Sequence, residues 1–431
     1  MPNNVLHPES ENRPMDLQPT RPRDLGAVRG WDASDPLRAF RDRFDLPPNV
    51  VYLDGNSLGA LPRATRQRIE HVVAAEWGAG LIRSWNDCDW IGAPRRVGDK
   101  IAGLIGAGPG EVIVADSTSV NLFKLVSAAL ATRPGRREVL SEPGNFPTDL
   151  YVLEGALRNA PQRSLRLEPA HRVLGSISED TALVVLTQVH YKTASMHDMR
   201  AITERAHAKG ALVLWDLSHS AGALQVDLNG CYADFAVGCG YKYLNGGPGA
   251  PAFLFVARRH HASCASPLSG WMGHARPFDF VDSYAPAPGI ERFLCGTPPI
   301  LGVLSLECGV DLLLEAGTAA LQSKSQRLCQ LFIDLVQEMC DGKELSLLSP
   351  TDPRQRGSHV AYAHPNGYAV MRALIDRGVI GDFRAPDILR FGFAPLYTRY
   401  EDVWQAAATL RDVLQTQCWS EPRYAVRAAV T

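Results

Sequence analysis

The stretch "GCGYKYLNGGPG", residues 238–249, sets Lys242 between two tyrosines and ahead of a glycine-rich tail. Only seven of the 44 lysine and arginine residues are lysine, so this position stands out. Lysine is the residue used where a nitrogen must lose its proton and attack a carbonyl. Just upstream, "VLWDLSHSAGAL" (213–224) is an apolar strand ending in Asp216, with His219 three residues on. An aspartate at the C-terminal end of a buried strand occupies the ligand-facing edge of an open α/β sheet. A lysine for a Schiff base and a buried acid for a ring nitrogen are what pyridoxal phosphate requires. The buried carboxylate keeps that nitrogen protonated, so the ring can accept electrons. A lone loop lysine ordinarily snorkels into solvent. The Asp-x-x-His pair, the flanking strands and the glycine tail set Lys242 apart. Lys192, in "QVHYKTASMHD", also follows an apolar strand, but no acid–histidine pair precedes it. It reads as a loop lysine or a secondary contact.

Such a cofactor also needs an anchor for its phosphate. In "ADSTSVNLFKLVSAAL" (115–130) a strand ends at Asp116 and an amphipathic helix follows, with Thr118 and Ser119 at its start. Hydroxyls, free backbone N–H groups and the helix dipole together make an anion site there. An ordinary helix cap has the same appearance. No glycine-rich dinucleotide fingerprint and no GxxxxGK[ST] loop compete for the assignment.

The elements that position these residues alternate from about residue 100 to 256. "EVIVAD" (111–116), "REVLS" (137–141), "TALVVLTQV" (181–189), "GALVLWDL" (210–217), "ADFAVGC" (233–239) and "PAFLFVA" (251–257) read as strands, several of them nearly continuous in Val, Ile, Leu and Phe, as expected where both faces are covered. Amphipathic stretches such as "MHDMRAITERAHAKG" (196–210) lie between many of them. This order predicts a mostly parallel sheet with crossover helices. Near residue 300 two long helices begin, followed by short strands ("SLLSP", "SHVAYA", "ILRFGFA") mixed with helices. The expected fold class is therefore α/β, with a smaller C-terminal α+β domain. The expected division is an arm and lead-in over 1–50, a large domain over 51–299 and the small domain over 300–431. Most of the first thirty residues, polar and rich in proline and arginine, read as a loosely ordered arm.

The 431 residues carry a net charge of -2, with 45% apolar and 21% charged side chains. That balance offers no general attraction to nucleic acid or to an anionic membrane, and no apolar run reaches membrane-spanning length. Nine cysteines without a CxxC pair suggest reduced thiols in a cytoplasm, with neither a disulfide frame nor a metal site.

Six separated motifs carry a family resemblance: "YLDGNSLG" (52–59), "STSVNL" (117–122), "NFPTD" (145–149), "WDLSHSAGA" (215–223), "GCGYKYLNGGPG" (238–249) and "LSGWMGH" (268–274). Across roughly residues 50–415 the chain resembles the kynureninases, pyridoxal-phosphate enzymes of the aspartate aminotransferase fold (fold type I). "GNSLG", "FPTD" and "GWMGH" are the specific elements, since the aspartate and lysine motifs recur in many relatives of that fold.

The resemblance implies hydrolysis of L-kynurenine, or its 3-hydroxy form, to the anthranilate and L-alanine within tryptophan catabolism. It implies that Lys242 carries the cofactor, that Asp216 pairs with the ring nitrogen and that His219 lies beside the ring. Phe146 would stack on the ring, and Asp149 and Thr187 would contact its polar edge. Thr118, Ser119 and Tyr241 would hold the phosphate region, with Tyr241 also an acid/base. Trp271 and Thr297 would reach the phosphate from the other subunit of a homodimer. Thr297 departs from the asparagine of the animal branch, but its hydroxyl can still donate to phosphate. Arg390 would bind the substrate α-carboxylate, with Asn56 and Ser57 lining the pocket. Within the same fold, an aminotransferase or a cysteine desulfurase is the alternative. A desulfurase needs a nucleophilic cysteine near the cofactor, and Cys264 and Cys295 are the candidates by position.

Overall fold

A computed structural model describes residues 24–427. Its centre is a seven-stranded sheet in the spatial order Val112–Val114, Phe253–Val256, Phe235–Gly238, Leu212–Asp216, Thr181–Thr187, Glu138–Ser141, Ser164–Leu167. Phe253–Val256 runs antiparallel to both neighbours, and the other pairings are parallel. The first six strands are those expected from their apolar runs. Ser164–Leu167 was not, because this edge strand has no fully buried side chain and thus no apolar run.

Alternating side chains feed two cores. Along Leu212–Asp216, Val213 and Trp215 join one cluster, with Val97, Ile202 and Val310 from three helices. Leu212 and Leu214 join the other, with Leu125 and Leu153 from helices Thr118–Ala131 and Pro147–Leu157. Burial on both faces explains why these strands are continuously apolar. The crossover helix Met199–Ala208 is capped by Asp198, whose carboxylate accepts from Ala201 N at 3.0 Å.

A second sheet, antiparallel throughout, has the order Ser346–Leu347, His359–Ala363, Ile388–Gly392, Asp382–Arg384. It builds a separate core with helices Thr318–Met339, Gly367–Asp376 and Tyr400–Thr416. The preceding helix, Ile300–Ala316, instead buries Val303, Leu304 and Val310 in a core of the large sheet.

Of the N-terminal segment, residues 1–23 lie outside the described residues. From Asp24 onward it is helical rather than loose: Asp24 caps Leu25–Ser34, and Val28 is buried in the core of the small sheet. Arg29 also pairs with Glu401 at 2.7 Å. The chain then lays Val51–Tyr52 parallel to Val379–Ile380 and bridges Asp54 to Gly392. This brings the "DGNS" residues alongside the small sheet.

Candidate functional site

Parallel register sets the floor of the site. Thr187 and Asp216 are paired residues at the C-terminal ends of adjacent strands. Asp216 is buried, and its Oδ1 accepts from Ser218 N at 2.7 Å and Ser218 Oγ at 2.6 Å. Asp149, in the first turn of helix Pro147–Leu157, is buried beside it. Burial first, and the neighbouring Asp216 second, push the Asp149 carboxyl well above the usual carboxylate range. Burial raises Asp216 as well, against the pull of its Ser218 hydrogen bonds. Thr187 Oγ1 bonds Asn145 Oδ1 and lies 3.4 Å from Asp149 Oδ2.

Lys242 faces this pair. Its charge is among the influences lowering both carboxyl groups. Its Nζ is 5.8 Å from the Phe146 ring centroid and 5.9 Å from that of Tyr241. Among the described residues Nζ makes no hydrogen bond or ion pair, so the amine is left free for chemistry. Burial pushes the Tyr241 hydroxyl up, which keeps it protonated. The "GNSLG" loop seats against the lysine loop through Gly59, whose N–H donates to Tyr241 O at 2.8 Å. A Cβ at Gly59 would collide with the Lys242 carbonyl oxygen, so only glycine permits this approach.

His219 is buried near Lys242, with Nδ1 unpartnered and its ring 5.4 Å from that of His359. Burial, then Lys242, hold its imidazole neutral. Thr118 and Ser119 open helix Thr118–Ala131, and Ser117 is the N-cap, accepting from Val120 N at 3.4 Å. The leading N–H groups of a helix have no intrahelical acceptor, and an anion satisfies them. Behind this turn the buried Lys124 bonds Asp116 and donates to Phe293 O at 2.6 Å.

The cluster around Arg390 forms the other wall. Tyr191 stands edge-on to Phe146 at 5.3 Å, and its carbonyl accepts from Arg390 Nη1 at 2.6 Å. Asp382, directly across the antiparallel pair, takes Arg390 Nε at 2.7 Å and also bonds Nη2. Ser57 Oγ donates to Asp382 at 2.7 Å and accepts from Arg390 Nη2 at 2.9 Å. With its amide oxygen turned inward, Asn56 accepts from Arg390 Nε at 2.9 Å and Nη2 at 3.1 Å. Asn56 fills the space over Gly392, where any side chain would displace it.

The chain fold therefore gathers Lys242, Tyr241, Asp216, Asp149, Thr187, Phe146 and His219 in one region. It gathers Arg390, Asn56 and Ser57 in the adjoining one. Trp271 and Thr297 are both exposed, and Trp271 packs on Phe278 and Phe280. Lys192 donates to Ala385 O at 3.0 Å, a secondary contact. Sequence reasoning missed Asp54, Asp382, Arg384 and His359. The acid–base pair Asp382/Arg390, eight residues apart across a turn containing Pro386, was the available signal.

The donor set fits pyridoxal phosphate. Two buried carboxyl groups, both raised by burial, share this space with Lys242, an arrangement that a protonated ring nitrogen would suit. An unpaired amine stands over them, and a helix N-terminus with hydroxyls can receive a phosphate. Among the described residues no cluster of His, Cys, Asp and Glu is arranged to hold a metal ion.

The family model "Kynureninase C-terminal domain" matches residues 321–410. A kynureninase of Burkholderia pseudomallei (strain K96243) is 52% identical over 407 residues, covering 93% of this chain and 98% of the relative. The chain belongs to the kynureninase family. The kynureninase of Pseudomonas fluorescens is 51% identical over 406 residues, with the same shares covered. Solved structures match the fold at lower identity. An apo cysteine desulfurase from Thermococcus onnurineus NA1 aligns with TM-score 0.72 at 18% identity, covering 88% of this chain and 98% of the other. A C-DES variant with glycine covalently linked to its PLP cofactor aligns at TM-score 0.75 and 18% identity, covering 86% and 99%. These likenesses establish the mostly parallel fold type I architecture and leave the kynureninase assignment to the closer relatives. The desulfurase alternative gains nothing from the cysteines. Cys264 is buried, and burial pushes its thiol up, away from the reactive thiolate. Cys295 is only half-buried.

Proposed function

We propose that the protein hydrolyses L-kynurenine to anthranilate and L-alanine, using pyridoxal 5'-phosphate. The observation that carries this reading is an unpaired Lys242 facing the buried Asp149–Asp216 pair, in a chain 52% identical to kynureninases over nearly its full length. When bound, the cofactor supplies an electron sink that allows loss of a proton at the substrate α-carbon and cleavage of the Cβ–Cγ bond.

The chain's own residues do the rest. Lys242 holds the cofactor and moves the proton at the substrate α-carbon. Asp216, oriented by Ser218, keeps the ring nitrogen protonated. Asp149 and Thr187 would contact the ring's polar edge, His219 would lie beside the ring and Phe146 would stack on it. Thr118 and Ser119, with the helix N–H groups, hold the phosphate. Tyr241, kept protonated by burial, donates near the γ-carbonyl. Arg390, Asn56 and Ser57 receive the substrate.

The working unit in this proposal is a homodimer, in which the partner subunit's Trp271 and the partner subunit's Thr297 complete the phosphate site. The exposed aromatic surface of Trp271, Phe278 and Phe280 favours such burial. A cytoplasmic setting accords with nine free cysteines. No helix among the described residues is long and apolar enough to cross a membrane. The division into a large and a small domain belongs to the same proposal, with the small domain beginning after helix Ile300–Ala316 and not at residue 300, because that helix packs in a core of the large sheet.

The test is to supply purified protein with pyridoxal phosphate and L-kynurenine and follow anthranilate fluorescence. Borohydride reduction and peptide mapping then locate the label. No anthranilate, or a label at a residue other than Lys242, ends this reading.

A further inference from the structure

We propose that Arg384 is a second recognition residue for the α-carboxylate of an amino-acid substrate, acting with Arg390 as one two-guanidinium receptor. This rests on the functional reading above.

A guanidinium has five N–H groups. In Arg390, Nε is taken by Asp382, Nη2 by Asp382 and Ser57, and one Nη1 hydrogen by the Tyr191 carbonyl. One N–H remains, on a side chain only 2% exposed. A carboxylate needs at least two donors to be gripped and oriented, so Arg390 alone offers too little.

Arg384 supplies the remainder. Its Nη2 bonds the same Asp382 oxygen as Arg390 Nη2, at 2.7 Å, so the two guanidiniums converge on one atom. Both also approach Ser57 Oγ, at 3.4 Å and 2.9 Å. Arg384 is otherwise lightly committed: Nη1 lies 3.4 Å from its neighbour's carbonyl, and Nε has no acceptor among the described residues. Its side chain is 37% exposed, so it is the cation that an arriving anion reaches first.

The charge count agrees. Two guanidiniums over the single carboxylate of Asp382 leave one positive charge, matched to one monoanionic group. Asp54, the other acid in this cluster, carries a carboxyl raised to about 7 by burial and by Asp382, so near neutral pH it only partly offsets that charge. The receptor thus favours ligands with a free α-carboxylate. Asp382 acts as a positioning residue, holding both arginines by one side chain.

The experiment compares Arg384→Met and Arg384→Lys with the unsubstituted holoenzyme. Three quantities are measured: KM and kcat for L-kynurenine, the Kd of L-alanine by spectral titration, and the Kd of pyridoxal phosphate by fluorescence. The decarboxylated amine of kynurenine serves as a ligand that lacks the recognised group. Arg384→Met is expected to raise the L-alanine Kd and the kynurenine KM at least about tenfold, with a smaller effect on kcat. Binding of the decarboxylated amine and of pyridoxal phosphate should stay within about twofold, and Arg384→Lys should restore part of the L-alanine affinity. An unchanged L-alanine Kd in Arg384→Met would overturn the inference. So would equal losses for L-alanine and the decarboxylated amine, or loss of cofactor affinity in both variants, either of which marks a structural role. Absence of anthranilate from the unsubstituted enzyme defeats the functional reading instead, and the L-alanine comparison still decides the role of Arg384.

Discussion

Replacing Asp54 by Asn removes a carboxyl that the fold holds in an unfavourable place. Asp54 is half-buried, and its Oδ1 is shut off from solvent with no hydrogen-bond partner. Burial first, then the charge of Asp382, raise it from 3.8 to about 7, while Arg390, Ser57 and Arg384 pull the other way. Tyr52, Tyr243 and Tyr397 are further titratable side chains that feel its charge. A raised carboxyl means that the folded chain retains a proton which the unfolded chain has lost. Stability therefore falls as pH climbs from about 4 to about 7, and above that the full cost is present. Three pH units at ~1.4 kcal/mol each give about 4 kcal/mol as the upper size of the effect. Asparagine cannot ionise, so the variant escapes the loss. Urea denaturation of both proteins at several values from about pH 5 to about pH 8 measures it. The stability of Asp54→Asn relative to the unsubstituted protein should rise by about 2–3 kcal/mol between about pH 5 and about pH 7 and level off above that. A difference that stays constant to within about 1 kcal/mol would refute the reasoning, because Asp54 would then be ionised in both states. The same ionisation offsets the spare positive charge at Arg384 and Arg390. The kynurenine KM of the unsubstituted enzyme should accordingly climb above pH 7, and that of Asp54→Asn should stay flat.

Other substitutions probe the remaining parts of the site. Lys242→Ala should abolish turnover and the borohydride-fixed label together; full activity in the purified variant contradicts its role. Asp216→Ala should lower kcat by several orders of magnitude, because the electron sink weakens, and near-normal turnover would count against the assignment. Gly59→Ala should disturb the Lys242 loop, seen as a weakened cofactor Kd, since its Cβ meets the Lys242 carbonyl; an unchanged Kd would show that the loop yields freely. Trp271→Ala should loosen the dimer and weaken cofactor binding together in sedimentation and titration; an unaltered protein on both counts removes the shared-site proposal.

Local pattern was enough to expose much of this molecule. The six central strands announce themselves because both faces are covered, which makes runs such as "TALVVLTQV" apolar at most positions. Asp216 and Lys242 were legible for a related reason: each follows an apolar strand, at the edge where such sheets present ligand-facing groups. Ser164–Leu167 escaped notice because a half-exposed edge strand needs no apolar run. The Arg390 environment was equally hidden. Its contacts join residues 54–57, 191, 382–384 and 390, brought together by a bridge from Asp54 to Gly392 and a cross-strand pairing of Asp382 with Arg390.

The sequence by itself determined the α/β class, the placing of Asp216 and Lys242 at the ends of apolar strands, and the family, because these depend on residue type and short spacing. Only the tertiary structure decided that Asp149 and Asp216 share one shielded space, that Arg390 is nearly saturated, and that Arg384 stands beside it. Charge repulsion, burial and donor counts act over a few ångströms of space, and those distances exist only after segments hundreds of residues apart have been folded together.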